Sequence, residues 1–122
     1  MLQAKTKATR QKFGAVKQQI DGIVFASKAE AKRYQALKLL EGAGHITKLE
    51  LQPTYVLAPG VKFTGAARAT PALRYRADFR YVDHLGNTIV EDVKGMPTEG
   101  YRIKKHLLLA LHGIEVREVR IK

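Results

Sequence analysis

The sequence predicts a small α/β (α+β) fold, a single domain with helices packed on one central mixed sheet. Three observations predict it. The chain has 122 residues, 45% of them hydrophobic, which is enough for one core and too apolar for a disordered chain. Two segments carry helix signals at both ends. Several short segments around them alternate apolar and polar residues with the period of a strand.

The elements follow in chain order. Residues 1–12 carry Lys5, Lys7, Arg10 and Lys12 without an acid and read as a flexible basic arm, with the domain over 13–122. Asp21-Gly22, flanked by Val16, Ile20, Ile23 and Phe25, predicts a short hairpin with a tight turn. Ser27 and Glu30 form an S-x-x-E capping box that opens a helix, and Gly42 or Gly44 closes it. Residues 49–57 alternate as a strand that Pro53 interrupts, which predicts an edge or a bulge. Residues 58–72 are rich in Gly, Ala, Pro and Thr and read as a mobile basic loop. Two strands follow, over 73–83 and 88–94, with His84-Leu85-Gly86-Asn87 as their turn. Thr98 caps a second helix over 99–112, with Ile103, Leu107 and Leu111 as its apolar side, and Gly113 ends it. Residues 114–121 form the last strand.

Charge and composition narrow the function. Lys and Arg number 22 against 11 Asp and Glu, a net charge of +11, which favours a polyanionic partner, nucleic acid first. Without cysteine there is neither a disulfide nor a thiolate zinc site. His45, His84, His106 and His112 lack metal-ligand spacing. No apolar run approaches the roughly 20 residues of a membrane span, so the expected compartment is the cytoplasm, with no membrane partner.

The chemistry concentrates in I-V-E-D-V-K-G, residues 89–95, and in Y-R-A-D-F-R-Y, residues 75–81. Strand alternation puts Val90, Asp92 and Lys94 on one face and Ile89, Glu91 and Val93 on the other, largely apolar one. An antiparallel hairpin folded about residues 85–86 brings Asp78 opposite residue 93, close to Asp92 and Lys94. Phosphodiester hydrolysis needs an activated water, neutralised phosphate oxygens and a stabilised leaving group. One or two hard cations held by carboxylates supply most of this. A lysine beside the cation orients or deprotonates the water, or stabilises charge on the phosphorane. Helical spacing puts Glu30 on the packed stripe with Tyr34 and Leu37. Two roles are open to it: metal-reaching acid or helix cap.

These residues resemble a known family. D-x13-D-x-K, preceded by an acid-bearing helix, is similar to the PD-(D/E)xK nuclease superfamily, and more narrowly to its compact phage and prophage endonuclease-like proteins. D-G-I-V-F-A-S-K-A-E-A-K-R-Y, L-E-L-Q-P-T-Y-V-L and V-E-D-V-K-G-M-P-T-E-G-Y-R-I-K-K carry the resemblance together with the Asp78 segment, over most of residues 20–110. It implies a restriction-endonuclease-like αβββαβ core and Mg²⁺- or Mn²⁺-dependent cleavage of DNA, branched or structured DNA included. Asp78, Asp92 and Glu30 would be metal ligands and Lys94 the catalytic lysine. A bacterial host cell, a phage or prophage origin and a homodimer accompany it. Ala77 stands where the motif has proline, and Asp92 where Glu is more usual, which shortens the reach to a metal.

Supporting residues surround these. Arg74, Arg76 and Arg80 share parity with Asp78 and form a basic stripe suited to phosphate contacts, some of them open to pairing with acids instead. Tyr101, Lys104 and Lys105 are neighbours on the second helix, where the lysines would hold a DNA backbone or form a solvated face. Gln52 reads as a satisfied edge residue, with water orientation as its other role. Two rival functions compete with the nuclease: a non-catalytic nucleic-acid-binding module, and a phage assembly protein retaining a nuclease fold.

Overall fold

The computed structural model describes residues 17–93 and 98–121. The basic arm at 1–12 and Lys94 lie outside the described residues.

The described residues open with the expected hairpin, β1 (Gln18–Ile20) and β2 (Ile23–Phe25), turned at Asp21 and Gly22, both at positive φ. Helix α1 (Lys28–Gly42) follows, with Ser27 Oγ accepting the Glu30 N–H at 3.1 Å as an N-cap. Six strands then alternate with one helix: β3 (Thr47–Leu51), β4 (Thr54–Ala58), β5 (Leu73–Arg76), β6 (Phe79–Val82), β7 (Thr88–Val93), α2 (Glu99–His112) and β8 (Arg117–Val119). The central sheet has the order β3-β6-β7-β8. Its first three strands are antiparallel, and β8 lies parallel to β7 by the crossover through α2. The domain is therefore α+β with a mixed sheet, as expected.

Two segments each expected as one strand, the first with an irregularity at Pro53, are divided in two. Residues 49–57 divide into β3 and β4 at Gln52-Pro53, and residues 73–83 divide into β5 and β6 at Ala77-Asp78. The breaks are one event. Two antiparallel chains run side by side and bend together: Gln52 N–H donates to the Asp78 carbonyl at 2.9 Å, and Ala77 N–H to the Pro53 carbonyl at 3.0 Å. Pro53 has no N–H to continue a ladder, and Gln52 sits at φ 52, so the pair leaves the sheet plane here. Beyond the bend, β4 and β5 form a separate ribbon. Loop 59–72 prolongs it, with Val61 N–H on Thr70 Oγ1 (2.9 Å) and Thr70 N–H on the Val61 carbonyl (2.6 Å). A Cβ at Gly60 would stand 1.9 Å from the Thr70 carbonyl oxygen, so the crossing requires glycine.

The sheet is covered on both faces. Phe25, Ala31, Tyr34, Leu37, Phe79, Tyr81 and Val93 join α1 and the β1–β2 hairpin to one side. Leu57, Tyr75, Ala77, Val90, Leu108 and Val116 join α2 and the β4–β5 ribbon to the other. The packed side of α2 is only partly the expected one: Leu107 packs against the second core, but Leu108 is the fully buried residue, while Ile103 and Leu111 are 44% and 57% exposed. The face that meets the ribbon is thus centred about one residue round from the expected one. The last strand is also shorter than its alternating pattern, because only Arg117–Val119 pair with β7.

Glu91 and Asp92 are the buried charged residues among those described. Glu91 is 0% exposed. Arg33 of α1 meets it with two hydrogen bonds, Nε to Oε1 at 2.9 Å and Nη2 to Oε2 at 2.6 Å, and the Tyr81 hydroxyl donates to Oε2. Removing one member of such a pair strands the other without water. Arg33→Ala should therefore lower the unfolding free energy by about 3 kcal/mol in a urea titration; a loss under about 1 kcal/mol would show that the pair does not anchor α1.

Candidate functional site

The acids meet where the sheet ends. β6 and β7 pair Phe79 with Glu91, so the next positions, Asp78 and Asp92, face each other, one residue from the expected register. Here the bend removes the regular ladder and carboxylates complete it. Asp92 Oδ1 accepts the Asp78 N–H at 3.1 Å, an N–H shared with the Glu91 carbonyl, and Asp78 Oδ2 accepts the Val93 N–H at 2.7 Å. Asp92 Oδ2 has no hydrogen bond among the described residues.

Glu30 joins them from α1. Its backbone N–H serves the Ser27 cap, but its carboxyl lies against Asp78. The inward direction expected from the helical stripe thus holds, and the same residue works in the cap through its backbone. Asp78, Glu30 and Gln52, with Phe25 and Phe79, line a cavity of about 120 Å³ under β2, room for several waters. Gln52 reaches this cavity because the positive φ at the bend takes it out of the strand.

Ionisation in the cluster is suppressed. Burial, then the nearby Asp78 charge, pushes Glu30 up to about 7. Burial pushes Asp92 up to about 6, against the hydrogen bond from the Asp78 backbone. Burial also raises Asp78, while hydrogen bonds from Val93 N–H and Glu30 pull the other way. The side-chain oxygens of the cluster are all hard, and a dication that favoured their ionised forms would suit them in kind. Among the described residues no three His, Asp or Glu side chains form a ready metal cage. Magnesium commonly takes one or two carboxylates and fills its other positions with water.

The basic residues separate into two groups. Arg74 and Arg76 of β5 line a groove of about 700 Å³ with Tyr75, Tyr101 and Lys104. Arg80 does not continue that stripe: on the central-sheet side of the bend it bonds Glu50 (2.5 Å) and the Tyr55 hydroxyl (3.4 Å). Lys105 likewise turns from Lys104 to Glu118 at 3.0 Å, where Glu118 also accepts from the Tyr101 hydroxyl at 2.6 Å. Glu118 pairs with Asp92 across the parallel ladder, which places Lys105 within electrostatic reach of Asp92. The motif reading overlooked Arg33, Glu91 and Glu118. Glu91 lay in plain view within E-D-V-K, an acid on the face assigned to the core.

Fold and site together define a small α+β domain with a carboxylate-lined cavity at a strand bend and a basic groove close by. The chain belongs to the family described as Protein of unknown function (DUF1064), whose model matches residues 10–121. No curated protein and no solved structure matches it. Among the described residues no helix is long and apolar enough to cross a membrane.

The raised values make stability depend on pH. An acid that holds its proton more tightly folded than unfolded stabilises the fold while protonated, and that contribution disappears as pH climbs through the folded value. For Glu30 the window runs from 4.5 to about 7, and for Asp92 from 3.8 to about 6. The metal-free protein should therefore lose thermal stability between pH 5 and 7.5. Glu30→Gln should remove part of this loss, on the order of 1 kcal/mol for a half-exposed group. A melting temperature that rises over the same interval would contradict these shifts.

Proposed function

We propose that the protein is a metal-dependent endonuclease of the PD-(D/E)xK type that hydrolyses DNA phosphodiester bonds. The observation that carries the reading is the meeting of Asp78 and Asp92 at one strand end with Glu30 of the preceding helix against Asp78. These acids come from the helix and the two adjacent strands that the resemblance implies. The order α1, β3, β6, β7, α2, β8 agrees with an αβββαβ core once the bent ribbon is set aside. A net charge of +11 and the Arg74–Arg76–Lys104 groove favour a polyanionic substrate.

Asp78, Asp92 and Glu30 would hold Mg²⁺ or Mn²⁺, which when bound would neutralise phosphate oxygens and acidify a water. Asp78 and Asp92 are oriented for this by the backbone N–H groups that each accepts. Glu30 holds a proton near neutral pH and can release it as charge is compensated. Gln52 can orient a water in the cavity. Lys94, two residues past Asp92, takes the catalytic lysine's role by resemblance. Arg74, Arg76 and Lys104 contact the backbone, and Tyr101 and Lys105 order the groove's far side through Glu118. A homodimer would present two such sites to two strands, and the setting is the cytoplasm of a bacterial host of phage or prophage.

The test is cleavage of linear duplex, single-stranded, flapped and four-way-junction DNA with Mg²⁺ or Mn²⁺, against EDTA. Asp78→Asn, Asp92→Asn and Lys94→Ala should each slow cutting by at least ~100-fold with the circular dichroism spectrum unchanged. Full activity in any one sinks its assigned role. Binding without cutting on every substrate would establish the non-catalytic module, and absence of both would favour the assembly protein.

A further inference from the structure

We infer that the groove between β5 and the first turn of α2 seats the phosphodiester backbone of a nucleic-acid strand, held by Arg74, Arg76, Lys104 and the Tyr75 hydroxyl. This rests on the nucleic-acid part of the reading above and not on catalysis.

The cations in the groove differ from their neighbours. Arg80, Arg102 and Lys105 are each paired with a glutamate, whereas Arg74, Arg76 and Lys104 have no ion pair among the described residues, and no acid lines the groove. Tyr75 supplies an independent observation. It also lines the groove and is only 4% exposed, yet its buried hydroxyl has no hydrogen-bond partner among the described residues. An unmatched buried hydroxyl is unfavourable, and phenylalanine would fill the same space without the penalty. The hydroxyl is therefore a donor waiting for an acceptor, and phosphate oxygen is the acceptor that the surrounding cations select.

Spacing favours a strand over a free anion. Arg74 and Arg76 are two residues apart on β5, so they point the same way at roughly 6.6 Å, matching consecutive phosphates along a nucleic-acid backbone. Arg76 is also close enough to Asp78 to favour its ionised form, which connects the groove to the carboxylates. A volume of about 700 Å³ accommodates a nucleotide unit, and the exposed Arg76 and Lys104 side chains can turn to grip it.

The experiment is fluorescence anisotropy with a labelled oligothymidylate in EDTA, so that cleavage plays no part. Tyr75→Phe should weaken binding roughly tenfold, the scale of one hydrogen bond to a charged acceptor, while its thermal midpoint stays level or rises. Arg74→Ala/Arg76→Ala should weaken binding further and reduce the salt slope by roughly 1.4, about 0.7 for each lost contact with a single strand. Unchanged affinity in folded Tyr75→Phe overturns the proposal. So does displacement of the oligonucleotide by inorganic phosphate at matching concentrations, which would make the groove an isolated anion site. A protein that passes this test and cuts nothing has lost the nuclease reading and kept this one.

Discussion

A fully buried carboxylate survives only where donors meet every oxygen, and Glu91 is met on both by Arg33 and Tyr81. Much of the site depends on that contact. Arg33 is one turn beyond Glu30 on α1, and Glu91 immediately precedes Asp92 on β7. The clamp therefore fixes the helix that carries one acid of the site to the strand that carries another. Apolar packing of Tyr34 and Leu37 would hold the helix against the sheet, but it would tolerate sliding that two directed charge-assisted bonds resist.

The second constraint is the shared bend at residues 52–53 and 77–78. Without it Asp78 would be one more residue in a long ladder, its carboxyl on the face that α2 covers. The bend frees Asp78 to bond across to β7 while facing Glu30, and it swings β4 and β5 over to α2. The same deformation brings Arg74 and Arg76 to a groove and leaves Arg80 behind with Glu50. Cavity and groove are thus two products of one bend.

Much of this was legible in local sequence. Asp21-Gly22, Ser27 and the Thr98…Gly113 frame marked the hairpin and both helices, because turns and caps are made by residues near in sequence. The adjacency of Asp78 and Asp92 followed from the short turn at residues 83–87, where Asp83 Oδ1 accepts the Leu85 and Asn87 N–H groups. The bend was half legible: Pro53 announced it on one chain, while Ala77-Asp78 continues an unbroken strand-like run on the other. The clamp was not legible at all. Arg33 and Glu91 are 58 positions apart, and neither local periodicity nor spacing links a helix arginine to a strand glutamate. Nor could periodicity choose the packed side of α2, since Ile103, Leu107, Leu108 and Leu111 are all apolar and only tertiary contact with the ribbon selects among them.

The parallel pairing of β7 with β8 sets an order of assembly. β7 receives β6 through a five-residue turn, but its other edge waits until α2 has crossed the sheet and Arg117–Val119 have been made. Until then the strand bearing Asp92 is an open edge with unpaired backbone groups, and Glu118 is not yet beside it. On the ribosome, the acids would meet early while the neighbour that tunes Asp92 arrives late. Completion of the domain and maturation of the site are, in this topology, the same event.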